Sequence, residues 1–366
     1  MHVLFVFNHP APYKVRFFNE LSRQITLSVI FERLKNSDRD PRFYRAEDMN
    51  FDVVRIKGLN LGRENHFSTG IAAHLRSHAY DLIVMNGWRT YSEMLAICYL
   101  KKHRIPYVFY INGGIIKERE SQLFRRIKTY FIGGADLYFS PDANSNYYLV
   151  HYGAEPSRII NYPYSTLYER EIIAEPLSSA AKRELRLRLG IDAASVFVSC
   201  GQFIPRKNYL RLIAYWKKQP RDRMLIIIGG GKEKAHYQRL IAQLDLHNVV
   251  LLNFMERTAL FEYFRAADAF IFPSKEDIYG HVINEAMSQG LPVISNYHVN
   301  SSLHLIRDGE NGFVIDIDDD KAIDAAIEAV LTTAMGGKAI ASARENTFET
   351  MAKIHADTFK EWVNKK

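Results

Sequence analysis

Short apolar runs alternate with amphipathic helical stretches along the whole of this 366-residue chain, and that alternation leaves few folds open. The apolar runs occupy 3–7, 27–31, 53–56, 82–85, 107–111, 137–140 and 159–161 in the first half, and 196–200, 225–228, 249–254, 269–272, 292–295 and 313–315 in the second. Helical patterns separate most of them, which predicts parallel sheets with helices on both faces. Each half holds enough strands for one doubly wound domain. The expectation is an α/β chain of two Rossmann-like domains, 1–168 and 169–346, with a helical stretch at 347–366. The pattern breaks near 163–181, where Tyr162-Pro163-Tyr164 and Pro176 interrupt it and a charged helix, 181–189, leads to Gly190.

Composition excludes several classes. Apolar residues make up 47% and charged residues 24%, so the chain is globular rather than disordered. No run of about 18 apolar residues offers a membrane span. The segment from Met1 to Asn8 lacks a basic start and reads as a first buried strand, not a signal peptide. Cys98 and Cys200 stand in apolar runs and read as buried reduced thiols, which fits a cytoplasmic protein. The net charge of +7 suits anionic substrates or an anionic membrane surface. No nucleic-acid module accompanies it, so nucleic acid is not an expected partner.

The most informative segment is Ser274-Lys275-Glu276-Asp277-Ile278-Tyr279-Gly280-His281-Val282-Ile283-Asn284-Glu285. It follows the apolar run that ends at Pro273, so a strand ends, an acidic loop follows, and a helix starts near His281. Free N–H groups at Gly280, His281, Val282 and Ile283 attract an anion, phosphate above all. Asp277 lies before that start and Glu285 one turn inside it, so two carboxylates bracket an anion-binding backbone. That combination suits a diphosphate that also carries hydroxyls, which describes a nucleotide sugar.

A second constellation follows the first strand of the second half: Gly201-Gln202-Phe203-Ile204-Pro205-Arg206-Lys207-Asn208. Asn208 is expected to cap the next helix, which puts Arg206 and Lys207 on a strand-to-helix turn. Adjacent cations there suit a diphosphate, Arg as a fork and Lys as a point charge. Gly229-Gly230-Gly231 ends the next strand without the spacing of a dinucleotide fingerprint. Asp316-Ile317-Asp318 imitates a metal-binding acid pair, but the acids at 318–320 are better read as the start of a helix through 322–331. No His, Cys and carboxylate cluster has metal-ligand spacing, and no nucleophile elbow is visible. Segment 123–131 is basic and amphipathic. It is read as a helix packed on the core with a basic outer face, the alternative being a helix lying on an anionic membrane.

Asp277, seven residues, Glu285 resembles the acidic signature of family 4 of the retaining glycosyltransferases, whose usual first member is Glu. The Arg206-Lys207 turn and the glycine turn resemble that family too, although many members carry Arg where this chain has Gln202. The resemblance implies a GT-B fold, two facing doubly wound domains, with the last helix crossing back to the first. It implies retaining transfer of a sugar from a nucleotide diphosphate sugar, a UDP sugar by preference, to a saccharide or polyprenyl-linked acceptor in surface polysaccharide synthesis. Catalytic roles fall to Arg206 and Lys207 on the diphosphate, Asp277 on the donor sugar and Glu285 on the ribose. Donor contacts fall to Gly201, Gln202, Asn253, Glu256, Gly280, His281, Val282 and Ile283. The acceptor side falls to Lys14, Asn112 and Gly113, with Asn112 where many relatives have His. No cofactor and no metal are expected. The implied location is the cytoplasm, at the inner membrane face. A non-catalytic binding protein and a sugar-nucleotide epimerase are the alternatives.

Overall fold

The computed structural model of the chain describes residues 1–33, 48–61, 65–116 and 119–365. They form two compact units, Met1–Tyr164 with Phe348–Lys366, and Ser165–Thr347. In the first, β1 (His2–Phe7) leads through α1 (Pro12–Leu21) to β2 (Thr26–Phe31), and β3 (Asp52–Arg55) follows. A short antiparallel pair, β4 (Leu59–Leu61) and β5 (Asn65–Phe67), precedes α2 (Gly70–Ser77). That pair was not anticipated, since three-residue strands carry too little pattern to read. The unit continues through β6 (Leu82–Met85), α3 (Tyr91–Lys102), β7 (Tyr107–Tyr110), α4 (Gln122–Ile132), β8 (Leu137–Ser140), α5 (Ala143–His151) and β9 (Ile159–Asn161). Its sheet runs β3-β2-β1-β6-β7-β8-β9, with every neighbouring pair parallel.

The second unit opens with α6 (Ser179–Arg188) and β10 (Ser195–Gln202). It proceeds through α7 (Tyr209–Trp216), β11 (Arg223–Gly230), α8 (Lys234–Gln243), β12 (Val249–Leu252), α9 (Arg257–Ala266) and β13 (Ala269–Phe272). Then come α10 (Val282–Ser288), β14 (Val293–Asn296), α11 (Asn300–Leu305), β15 (Gly312–Ile315), α12 (Asp320–Thr332) and α13 (Gly336–Glu345). The sheet order is β12-β11-β10-β13-β14-β15, all parallel. Both sheets therefore wind outward from their first strand, return to the middle, and wind the other way. Each has a switch point beside its first strand, where crossovers leave the carboxyl edge open to a ligand.

Alternate side chains explain why continuous apolar runs were required. Val196, Val198, Phe270 and Phe272 fill one core of the second unit, while Phe197, Ala269 and Ile271 fill another. Successive residues of a strand point to opposite faces, so a sheet covered on both faces must be apolar at every position. The last helix, α14 (Phe348–Asn364), buries Phe348, Met351, Ala352, His355, Ala356 and Phe359, one face at a spacing of three and four. It packs within the first unit, where the His355 ring stacks on Phe139 at 4.5 Å. Burial drives the His355 imidazole down to about 3, so it is neutral.

Helix α4 departs from expectation. Rather than packing an apolar face on the core, it buries only Lys128 and Ile132. Lys128 pairs with Glu120 at 2.6 Å and donates to the Tyr152 hydroxyl at 2.9 Å. Leu123, Phe124, Ile127 and Tyr130 are exposed, Leu123 by 71%. The amphipathic pattern is real, but a buried ion pair anchors the helix and its apolar residues face outward.

At the carboxyl end of β2, Glu32 meets the first turn of α3. Thr90 and Glu93 form a capping box, each backbone N–H bound to the other's side chain at 3.1 Å. The Thr90 hydroxyl donates to Glu32 Oε1 at 2.6 Å, and Glu32 Oε2 is buried without a partner. Burial first, and the neighbouring Glu93 second, push Glu32 up to about 8; burial pushes Glu93 up to about 7. Both carboxyls bind protons more tightly folded than unfolded, so their stabilising contribution is complete below about pH 4.5 and is lost as pH rises through about 7 to 8. Glu32→Gln should therefore flatten the alkaline loss. Denaturant unfolding is expected to find the variant more stable than wild type by roughly 1–3 kcal/mol at about pH 8.5, with the difference gone or reversed near pH 5.

Candidate functional site

The switch point of the second unit lies between β10 and β13, which pair at Phe197 with Ala269 and Val198 with Phe270. The two loops leaving these strands carry the cations and the acid that the sequence singled out. Beyond β10, Pro205–Lys207 forms one turn of 3-10 helix. Beyond β13, the loop is fastened to that turn: the Lys275 N–H donates to Arg206 O at 2.9 Å, and the Ser274 hydroxyl donates to Arg206 O at 3.2 Å and to Glu276 O at 2.9 Å.

These bonds set an ion triad. Lys207 Nζ and Arg206 Nη1 both engage Asp277 Oδ2, the arginine at 3.2 Å, and Arg206 Nη1 also donates to Glu276 O at 2.9 Å. Lys207 is buried and lies over the Phe272 ring at 4.3 Å, whereas the Arg206 head is half-exposed. Burial raises the Asp277 carboxyl, but Lys207 and Arg206 together outweigh it and hold the group below the ordinary carboxylate range. Burial likewise pulls the Lys207 ammonium down, against the opposing pull of Asp277. Two cations on one carboxylate leave the cluster with a net positive charge at the sheet edge.

Glu285 sits on α10 and is held by partners that the motif alone did not reveal. Arg257 Nη2 and the Thr166 hydroxyl both donate to Glu285 Oε1, the latter at 3.0 Å. Arg257 Nη1 bridges to Thr166 O at 2.8 Å and to Glu171 at 3.2 Å. Glu285 Oε2 takes no hydrogen bond among the described residues. The Cys200 thiol, at the end of β10, feels both clusters: burial pushes it up to about 12, Glu285 adds to the rise and Lys207 opposes it. Both cysteines are free thiols.

Gly280 has a positive φ of 95°, and a Cβ there would lie 2.9 Å from Val299 Cγ1. Only glycine fits both constraints, and its turn delivers the chain to α10. His281 occupies the N-cap position, but the Ile283 N–H is already bound to Gly280 O at 3.1 Å. Of the expected anion-binding amides, those of Gly280 and Val282 have no acceptor among the described residues. Asn208 stands at the N-cap of α7 without a side-chain cap bond, in a left-handed conformation with φ 59°. The cap expected of it is not formed; a capping side chain reaches the first turn from an extended backbone, which Asn208 does not have. A Cβ on Gly229 would meet Gly201 O at 1.9 Å, so the glycine turn exists to let β11 approach β10, where Gly201 and Gln202 end the strand.

Asn253 follows β12 and accepts from Lys234 Nζ at 2.6 Å, while exposed Glu256 is the N-cap of α9. Lys234 opens α8 directly after the glycine turn, a position from which its nearness to Asn253 was readable only once β11 and β12 were known to be neighbours. In the first unit Lys14 is buried and bonded to Asn112, beside Gly113. Asp319 caps α12 by accepting from the Lys321 N–H at 2.9 Å, as a helix-start reading of that acid run requires. No group of three metal-ligating side chains is assembled among the described residues.

Comparison with known proteins bears on the fold and on the second unit. Residues 182–348, nearly all of the second unit, match the family model described as Glycosyl transferases group 1. The lipopolysaccharide core biosynthesis glycosyltransferase LpsE of Rhizobium meliloti is 30% identical over 203 residues, covering 48% of this chain and 58% of that one. The chain spans about half the length of the curated relatives it matches. Among solved structures, Anabaena Alr3699/HepE in complex with UDP superposes with a TM-score of 0.79 at 20% identity, covering 99% of this chain and 100% of that one. The lipopolysaccharide outer core galactosyltransferase WaaB gives 0.72 at 15% identity, covering 99% and 100%. The architecture is the GT-B fold, two parallel-sheet Rossmann-like units, and the second unit carries the sequence pattern of group 1 glycosyl transferases.

Proposed function

We propose that this chain is a retaining glycosyltransferase that moves a sugar from a UDP sugar to a saccharide or polyprenyl-linked acceptor in surface polysaccharide synthesis. The observation that carries the reading is the Arg206–Asp277–Lys207 triad at the switch point of the second sheet, one loop away from Glu285. Switch points receive ligands in doubly wound sheets. A positive cluster there meets a diphosphate, whose charge grows as it leaves, and gains most in the transition state. Glu285 Oε2 remains to take ribose hydroxyls while Arg257 and Thr166 fix the other oxygen. Uridine as the base is supported by HepE, which is solved with UDP.

In this mechanism Asp277 has two duties. Its Oδ2 holds both cations in place, and its Oδ1, which has only a 3.4 Å approach from the Tyr279 N–H, accepts a donor-sugar hydroxyl. Retention needs no enzymic nucleophile if the acceptor hydroxyl attacks from the face the diphosphate leaves and passes its proton to the departing phosphate. The N–H groups of Gly280 and Val282 supply further dipoles to the same charge.

Removing Lys207 subtracts one charge-assisted contact, so Lys207→Ala should lower kcat/KM by about 10²- to 10³-fold, or roughly 2–4 kcal/mol. Asp277→Asn should cost turnover more than it costs UDP affinity by calorimetry, since the bare nucleotide lacks the sugar. Normal turnover by both folded variants would refute the site. UDP-sugar binding without turnover against any saccharide acceptor would favour a non-catalytic role.

The diphosphate is proposed to be neutralised by side chains rather than by a divalent ion. Activity should then survive EDTA; complete loss, restored by Mg²⁺ or Mn²⁺, would overturn this.

The outward apolar residues of α4, with Arg125 and Arg126 exposed beside them, support peripheral contact with an anionic bilayer. Sedimentation with phosphatidylglycerol vesicles should weaken as salt rises, because exposed charges are screened beyond about 8 Å at physiological ionic strength. Leu123→Ser with Phe124→Ser should reduce it further. No sedimentation at low salt would remove the membrane from the scheme.

A further inference from the structure

The first unit holds a buried lysine that no carboxylate answers. Lys14, on α1, is 1% exposed. Its Nζ donates to Asn112 Oδ1 at 2.6 Å and to the Tyr110 hydroxyl at 3.1 Å. The rings of Tyr164, Tyr110, Phe7 and Tyr13 surround it at 4.5, 4.9, 5.2 and 5.6 Å. No Asp or Glu among the described residues pairs with it. Aromatic faces stabilise a cation but do not neutralise it, and buried charges are ordinarily paired.

What Lys14 does to its neighbours is directional. A protonated lysine has only N–H groups to offer, so Asn112 must face it with the carbonyl oxygen. The Asn112 amide nitrogen then donates to Asn86 Oδ1 at 3.2 Å. That in turn leaves the Asn86 amide nitrogen pointing onward as a donor. Asn86 directly follows β6 and Asn112 closely follows β7, both at the carboxyl edge beside the switch point of the first sheet. Both are half-buried, and neither the second side-chain N–H of Asn112 nor the side-chain N–H groups of Asn86 have an acceptor among the described residues. With Lys14 protonated, the edge presents N–H donors backed by a positive charge that no carboxylate compensates, a combination that selects for an oxygen carrying negative charge.

We propose that Lys14, Asn112 and Asn86 form an anion-binding subsite for the acceptor, in which two carboxamides relay the charge of a buried lysine to an acceptor phosphate or carboxylate. This rests on the transferase reading for the word acceptor, but not for the subsite itself. Lys14 is a positioning residue, since it acts through Asn112. Burial holds its ammonium well below the ordinary lysine range. The other titratable groups facing it are Tyr13, Tyr110, Tyr164 and His355. Burial pushes Tyr110 well above the ordinary tyrosine range and keeps His355 neutral. An arriving anion favours the protonated lysine, so binding takes up a proton and weakens as pH rises.

The test is calorimetric titration of the UDP-saturated full chain with inorganic phosphate, glucuronate and neutral glucose, each in two buffers of different ionisation enthalpy. At least one anion should bind with proton uptake and with an affinity that falls as pH rises; glucose should show neither. Preference for phosphate would identify a phosphorylated acceptor, and preference for glucuronate a uronic acid. Lys14→Met should lose about tenfold or more in anion affinity together with its pH dependence, while UDP affinity stays within about twofold. Asn112→Asp supplies an internal counter-ion, so it should raise the Tm and abolish anion binding; it carries the test if Lys14→Met does not fold. Equal binding of glucose and the anions, or anion affinity unchanged in Asn112→Asp, would overturn the proposal. If wild type fails to bind UDP, the donor reading fails instead, and the same titrations without UDP still decide the subsite.

Discussion

Parallel pairing on both sides of β10 is the constraint on which the rest of this molecule depends. Because β11 and β13 both lie parallel to it, the crossovers on either side run away in opposite directions. The carboxyl end of β10 is therefore a switch point, flanked by the loops that leave β10 and β13. The residues at that edge cannot be satisfied by the sheet, and they recruit one another. Lys207 and Arg206 from one loop find Asp277 from the next. The same geometry recurs at β1 and β6 in the first unit, where the edge carries Asn86 and Asn112 with Lys14 behind them.

The two edges treat charge in opposite ways, and the difference is informative. In the second unit an acid is built in, so the cations are held at fixed positions with only part of their charge cancelled. Pre-set charge of this kind is what a leaving diphosphate can use, because no reorganisation is required when its own charge appears. In the first unit the lysine has neutral company alone. Such a group is costly to keep charged and gains most from a ligand that brings the missing charge.

Helix α4 illustrates a separate principle. A strong amphipathic pattern does not say which face is inward. Here the Lys128–Glu120 pair, reinforced by the Tyr152 hydroxyl, anchors the helix. The apolar side chains are left facing away from the core, together with arginines. A helix arranged this way leaves apolar and basic side chains together in water, and the proposed membrane contact rests on that patch.

Much of the fold was determined by the sequence itself. Runs such as 3–7 and 269–272 are apolar at every position, and only a strand covered on both faces requires that, so parallel sheets with helices on each side followed. Asp277, Gly280 and Glu285 were legible for a similar reason: a strand end, an acidic loop with a glycine and a helix start occur within one short segment, and local chemistry suffices to read them. What only the tertiary structure decided was which distant groups meet. Glu285 is held by Arg257 and Thr166, and Lys14 is bonded to Asn112, across separations that no local pattern encodes. The missing cap at Asn208 and the bound Ile283 N–H belong here too, since backbone dihedrals at a turn answer to the packing of both flanking elements. The sequence specifies which residues can bury or cap; partner choice is settled by strand order and register, because these bring far-separated loops to one edge.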